Sequence, residues 1–147
     1  MIEFAHTNII AKDWKRLAEF YVIVFDCILL EPERDLNDQW LTDGSNVPKA
    51  HLKGVHLRLP GKGQTATLEI FTYSSQEPTS ERIPNKEGFG HIAFKTDDVE
   101  VLQKKALQHG ATTLGKIVNA TIEGAGNITW TYIKDPEGNI VELQHWS

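Results

Sequence analysis

A single cysteine, Cys27, is the scarcest chemical resource of this 147-residue chain. One cysteine excludes an internal disulfide, so a disulfide-stapled extracellular domain is ruled out and a reducing, cytoplasmic setting is expected. Cys27 is followed by Ile28, Leu29 and Leu30, which reads as core rather than as a nucleophile. Long hydrophobic runs are missing too. The longest nearly apolar stretch, residues 20–30, is interrupted by Asp26, and it falls short of the roughly 20 residues that span a bilayer. The first ten residues lack a basic start ahead of an apolar segment, so no signal peptide is expected. No basic stripe exists either: Lys and Arg number 15 against 20 Asp and Glu, for a net charge of -5 with both signs intermixed. Phosphate backbones need neutralising cations, so neither nucleic acid nor a membrane is an expected partner; a small-molecule substrate is.

What is present suits one globular domain over 1–147: hydrophobic residues make up 40% of the chain and charged residues 24%. Within it the sequence repeats, with internal modules at about 2–73 and 90–146. Each module opens on a short strand carrying a histidine, Phe4-Ala5-His6-Thr7 and Gly90-His91-Ile92-Ala93. Each continues through an Asp into an amphipathic helix, and each ends on a strand carrying a glutamate. The first helix is expected from Asp13, with Trp14, Leu17, Ala18, Tyr21, Val24 and Phe25 as its apolar stripe. The second is expected near Asp97, with Glu100 completing a capping box, Val99, Leu102 and Ala106 as the stripe, and Gly110 as the stop. Further strands are expected near 27–31, 55–59, 66–73, 112–117, 127–134 and 140–145, with a turn at Asp135-Pro136-Glu137-Gly138. The fold class is therefore α+β, eight strands in two βαβββ modules joined by a polar linker at 74–87. The interval from His6 to Glu69 is about a dozen residues longer than that from His91 to Glu142, and a long polar loop at 34–53 is expected to absorb it.

Strand parity singles out the chemistry. Successive strand residues face opposite sides. In Leu68-Glu69-Ile70, His91-Ile92-Ala93-Phe94 and Val141-Glu142-Leu143 the polar side chain faces away from the aliphatics. His6 is less clear, because Phe4 shares its parity. Two imidazoles and two carboxylates suit one divalent metal ion of the borderline kind, Zn, Ni, Co, Fe or Mn. Such an ion polarises a carbonyl while a carboxylate removes a proton from the adjacent carbon. A lone strand histidine or glutamate is more often a solvated residue; the recurrence at equivalent places in two modules is what favours ligation by His6, Glu69, His91 and Glu142. The other histidines, His51, His56, His109 and His145, read as surface or structural residues. Trp40 and residues 119–126 are candidates for lining a pocket, with Trp40 equally readable as a cover over the core.

At these residues the chain resembles the vicinal oxygen chelate superfamily, which includes glyoxalase I, methylmalonyl-CoA epimerase, extradiol dioxygenases and the fosfomycin- and bleomycin-resistance proteins. The strongest segments are Gly88-Phe89-Gly90-His91-Ile92-Ala93-Phe94 and Asp135-Pro136-Glu137-Gly138-Asn139-Ile140-Val141-Glu142-Leu143, with His6, Asp13, Phe20-Tyr21 and Leu68-Glu69-Ile70 matching the first module. The His, Glu, His, Glu order looks like bacterial glyoxalase I. The resemblance implies a glyoxalase-like, metal-dependent lyase or isomerase that stabilises an enediolate next to a carbonyl, with Glu69 and Glu142 as both ligands and candidate catalytic residues and Glu142 as the base. Two features that glyoxalase I uses for glutathione have no counterpart: Asn8, Ile9 and Ile10 stand where it has an arginine, and Tyr73-Ser74-Ser75 where it has an Asn-Trp pair. The alternatives are a metal-free drug-binding module and a dioxygenase of the same superfamily. A homodimer is expected, because each module exposes a sheet edge that pairing would cover. The four ligands would come from one chain or two from each of two chains, and sequence does not decide between these.

Overall fold

Asp13 and Asp98 start the two long helices of the computed structural model, which describes residues Met1–Ser147. The chain divides into two units, Met1–Thr79 and Ser80–Ser147. The first contains β1 (His6–Ile10), α1 (Trp14–Phe25), β2 (Ile28–Leu36), α2 (Gln39–Ser45), β3 (Leu52–Arg58) and β4 (Thr67–Tyr73). The second contains β5 (Ile92–Lys95), α3 (Val99–Gln108), β6 (Thr112–Thr113), β7 (Val118–Ile122), β8 (Gly126–Lys134) and β9 (Ile140–Trp146). No helix is long and apolar enough to cross a membrane.

Both helices follow from capping and periodicity. The Asp13 carboxylate accepts from the Arg16 backbone N–H at 3.1 Å, a contact worth about 1 kcal/mol at such a position. All six residues of the expected α1 stripe are buried, joined by Phe20. α1 packs on β3 and β4, where Val55, Leu57, Leu68 and Ile70 are fully buried. In α3 the cap is one residue later than expected. Asp98, not Asp97, accepts from Val101 N–H at 3.0 Å. This shift puts Glu100 at the second helical position, too early to close a capping box, although its charge still faces the positive end of the helix. Val99 and Ala106 are buried and Leu102 half-buried, while Gly110 takes the left-handed conformation (φ 101°) that ends the helix.

The first sheet has the order β1-β4-β3-β2, with β1 parallel to β4 and the remaining pairs antiparallel. In the second, β5 lies parallel to β9, β9 antiparallel to β8, and both β6 and β7 pair with β8. β6 meets Ile133 and Lys134, and β7 meets the stretch from Gly126 to Trp130. The pair thus occupies the place that β2 holds in the first unit. The strand expected at 112–117 keeps only Thr112–Thr113, ending where the Leu114 and Gly115 N–H groups both reach the Tyr132 carbonyl, and β7 at Val118–Ile122 is a further strand that was not expected; the outer edge is thus interrupted, and nine strands stand where eight were expected. β2 shows the same tendency without separating, since its register shifts between Leu30 and Arg34, around Pro32, which has no N–H to give.

The expected loop at 34–53 is in fact structured. It holds the end of β2, the helix α2 and the start of β3. Leu41 anchors it by joining Ala50, Leu52 and Phe71 in a small buried cluster. Trp40, one residue earlier, projects outward and is 58% exposed, so it does not cover the core. Cys27 is buried, and burial with the neighbouring Asp26 charge pushes its thiol up to about 12, which fits a packing role.

The turn before β9 is held by one buried carboxylate. Asp135 accepts from the Glu137 and Asn139 backbone N–H groups and from the Asn139 amide, at 2.9, 2.9 and 2.8 Å. Gly138 takes the positive φ (83°) that closes the turn. Asp135→Ala leaves these donors unpaired and is expected to cost about 3 kcal/mol, read as a lower urea midpoint at constant slope. A change below about 0.5 kcal/mol, the size of an ordinary surface substitution, would show that the carboxylate does not hold the turn.

Candidate functional site

The site residues sit on the face of each sheet opposite the one packed on the helix. Glu69 is on the central strand β4, between buried Leu68 and Ile70. Its register partners are Asn8 on β1 and His56 on β3. The His6 Nε2 lies 3.3 Å from Glu69 Oε2, the His56 Nε2 lies 3.1 Å from Oε1, and the Asn8 amide donates to Oε2 at 3.3 Å. β1 begins at His6 rather than at Phe4, and Phe4 is 70% exposed. The parity conflict between the two therefore disappears, because Phe4 never belongs to the strand.

The second unit builds the same pair with different neighbours. Glu142 on β9 aligns with Ala93 on β5 and with Tyr132 on β8. His91 immediately precedes β5, which starts two residues later than expected, and its Nε2 is 2.8 Å from Glu142 Oε2. In both units the histidine stands two residues before the residue aligned with the glutamate: His6 before Asn8, and His91 before Ala93. The Tyr132 ring lies against His91 with centroids 4.9 Å apart, and Trp130 packs edge-on against Tyr132 at the same separation. Burial and the Glu142 charge raise the Tyr132 phenol above its ordinary pKa.

The structure brings the four expected ligands together two and two. No group of three or more His, Cys, Asp or Glu side chains is gathered so that it could hold a metal ion. Each pair nonetheless fits a shared ion. Bonds of about 2.0–2.2 Å meeting at roughly 90–110° place two donor atoms about 2.9–3.5 Å apart, close to the 3.3 and 2.8 Å observed. The same distances suit an imidazole–carboxylate hydrogen bond, so the spacing admits a metal without requiring one.

Strand reasoning missed His56. It was read with the surface histidines, yet its ring meets Glu69, stands edge-on to His6 at 6.3 Å and contacts Phe71 at 5.8 Å. Burial holds its pKa below the ordinary histidine value; Glu69 opposes this, and Arg34 and His6 add to it. The signal was available, since Val55-His56-Leu57 has the same aliphatic–polar–aliphatic pattern as Leu68-Glu69-Ile70. The remaining histidines have other partners or none: His51 pairs with Asp35, His145 bonds the Thr96 carbonyl, and His109 caps α3. Of two hollows in the first unit, one is lined by Trp14, His51, Lys53, Thr72, Tyr73 and Ser74 and the other by Asp26, Ile28 and residues around 58–65, both without Trp40. Residues 119–126 form the exposed β7–β8 hairpin.

The model of the Glyoxalase/Bleomycin resistance protein/Dioxygenase superfamily matches residues 3–143. The chain belongs to this superfamily. Solved structures agree on the fold. A glyoxalase family protein from Bacillus cereus is 15% identical, with 99% of this chain and 93% of that chain covered and a TM-score of 0.76. A glyoxalase family protein from Enterococcus faecalis is 24% identical over 97% and 96% of the two chains, with a TM-score of 0.65. The genomically encoded fosfomycin resistance protein of Listeria monocytogenes is 17% identical over 100% and 94%, with a TM-score of 0.64. No curated protein matches the sequence. Superfamily membership accounts for the paired βαβββ units and leaves the activity to be argued from the side chains.

Proposed function

We propose that the protein is a divalent-metal-dependent lyase or isomerase that moves a proton on a carbon next to a carbonyl, with His6, Glu69, His91 and Glu142 as the metal ligands. The observation that carries this reading is the repeated register: each unit sets one histidine and one glutamate at the same relative positions, with donor atoms at ligand spacing. Two unrelated surface pairs would have no reason to share that register. When bound, the metal supplies Lewis-acid polarisation of the carbonyl oxygen.

The chain's own residues do the rest. The two imidazoles present Nε2 towards the carboxylates and serve as nitrogen ligands. Glu69 serves as a ligand. Glu142, whose side chain is 15% exposed, accepts the proton from the substrate carbon and returns it. Tyr132 and Trp130 provide an aromatic wall beside His91, apolar enough to exclude water from one side of a small carbonyl substrate. Asn8, Ile9 and Ile10 offer no cation for a glutathione carboxylate, and a charge left unpaired in a pocket costs several kcal/mol. Smaller 2-oxo compounds are accordingly the favoured substrates over a glutathione hemithioacetal.

Elemental analysis of tag-free protein purified without added metal tests the reading. About one divalent ion per four-ligand set is expected, and stripping it with a chelator should lower the melting temperature. A ligand at 100 times its Kd contributes about 2.7 kcal/mol to stability. His6→Ala and His91→Ala should each abolish that stabilisation. Protein that carries no metal and whose melting is indifferent to added Zn, Ni or Co would be a metal-free binding module instead.

A further inference from the structure

The two glutamates differ in how firmly they are held. Glu69 is flanked on both sides by donors from neighbouring strands: His56 at Oε1 from β3, and Asn8 at Oε2 from β1. At the equivalent positions around Glu142 stand Ala93, which has no polar side chain, and Tyr132, which makes no hydrogen bond to the carboxylate. Glu142 is left with His91 as its polar partner. A carboxylate fixed at both oxygens is a good ligand and a poor proton shuttle, because accepting a proton requires an oxygen free to turn towards the substrate carbon. A carboxylate fixed at one oxygen keeps the other available.

We propose that His56 is a positioning residue of the first unit: by holding Glu69 Oε1 it keeps Oε2 beside His6 as a metal-binding atom, commits Glu69 to ligation and leaves proton transfer to Glu142. This rests on the metal reading above. The cross-strand register makes the arrangement rigid, since His56 and Glu69 are directly paired across an antiparallel ladder and Phe71 packs against the His56 ring. Groups that orient a ligand in this way are typically worth about 10- to 100-fold in metal affinity.

The test measures Co(II) and Zn(II) affinity by chelator competition, together with the Co(II) visible spectrum, for the wild type, His56→Phe, His56→Gln and His6→Ala. His56→Phe keeps a ring against Phe71 but removes the donor, and should weaken binding about 10- to 100-fold and alter the Co(II) spectrum. His56→Gln places an amide N–H near the former Nε2 and should recover most of the loss. Wild-type protein that binds no metal overturns both this proposal and the metal reading. Wild-type binding that His6→Ala removes but His56→Phe leaves within two-fold overturns the positioning role alone. Equal loss in the Phe and Gln variants overturns it in another way, by making His56 a ligand itself.

Discussion

Glu142→Gln should lower the rate of proton exchange at the carbon next to a carbonyl by at least about 100-fold, the usual contribution of a general base. The change keeps the side-chain shape and its contact with His91 while removing the charge and the basic oxygen. The fold should survive. Glu142 lies on the face away from the core, between Val141 and Leu143, whose burial does not depend on it. Exchange of the substrate hydrogen for deuterium, followed by NMR on a panel of 2-oxo compounds with metal-saturated protein, gives the rate. Circular dichroism and a melting curve check the fold. Glu69→Gln should be the milder change, because Glu69 serves as a ligand rather than as the base, and a glutamine carbonyl oxygen at the Oε2 position still accepts from Asn8 and still offers an oxygen to a metal, although the amide N–H at the Oε1 position no longer accepts from His56. If Glu69→Gln abolished exchange while Glu142→Gln retained near-normal rates with metal bound, the roles of the two carboxylates would be reversed.

The second large effect is on stability. Gly54→Ala should destabilise the protein by about 3 kcal/mol or more, at the upper end of what overpacking costs. An added Cβ would stand 2.1 Å from the Ile70 carbonyl oxygen, 2.4 Å from Phe71 Cδ1 and 2.9 Å from Phe71 Cα. The first and third are backbone atoms of β4, the strand that carries Glu69, and they cannot swing aside as a flexible side chain would. Gly54 is paired directly with Phe71, whose ring occupies the space a side chain would need and also contacts His56. Relief of the clash therefore has to displace either the ladder or the ring that supports the site. For a chain of this length, about 3 kcal/mol corresponds to a fall in Tm of roughly 6–12 °C. Urea unfolding should show the same loss as a lower midpoint. A variant within about 0.5 kcal/mol of wild type would mean that β3 and β4 separate easily at this point, and would undercut the rigidity assigned to His56 and Glu69.

Much of the fold was legible in the sequence because it depends on local rules. Asp13 and the stripe from Trp14 to Phe25 specify a capped amphipathic helix wherever they occur, and that helix formed as written. The turn at Asp135 was readable for the same reason: Pro136 and Gly138 suit it locally, and the Asp135 side chain reaches only the next few residues. Parity along 68–70 and 141–143 depends only on strand geometry, so the outward direction of Glu69 and Glu142 was also available. The errors fell where local rules are weak. α2 is short and contains Thr42, Gly44 and Ser45, poor helix formers; it exists because Leu41 is buried with Ala50, Leu52 and Phe71. The shortening of the strand expected at 112–117 to β6, and the formation of the unexpected β7 at Val118–Ile122, depend on how each meets β8, which no short window contains.

The sequence by itself determined the repeat, the two long helices, the superfamily and the candidate ligands, because each is written in short-range periodicity or in motifs that recur within one chain. The environment of those ligands was decided by tertiary structure. His56 and Ala93 look equally unremarkable as residues in a strand; only the register of β3 against β4, and of β5 against β9, shows that one donates to a glutamate and the other cannot. Register is set by the packing of whole strands on a shared core, so it distinguishes two glutamates that parity alone makes equivalent.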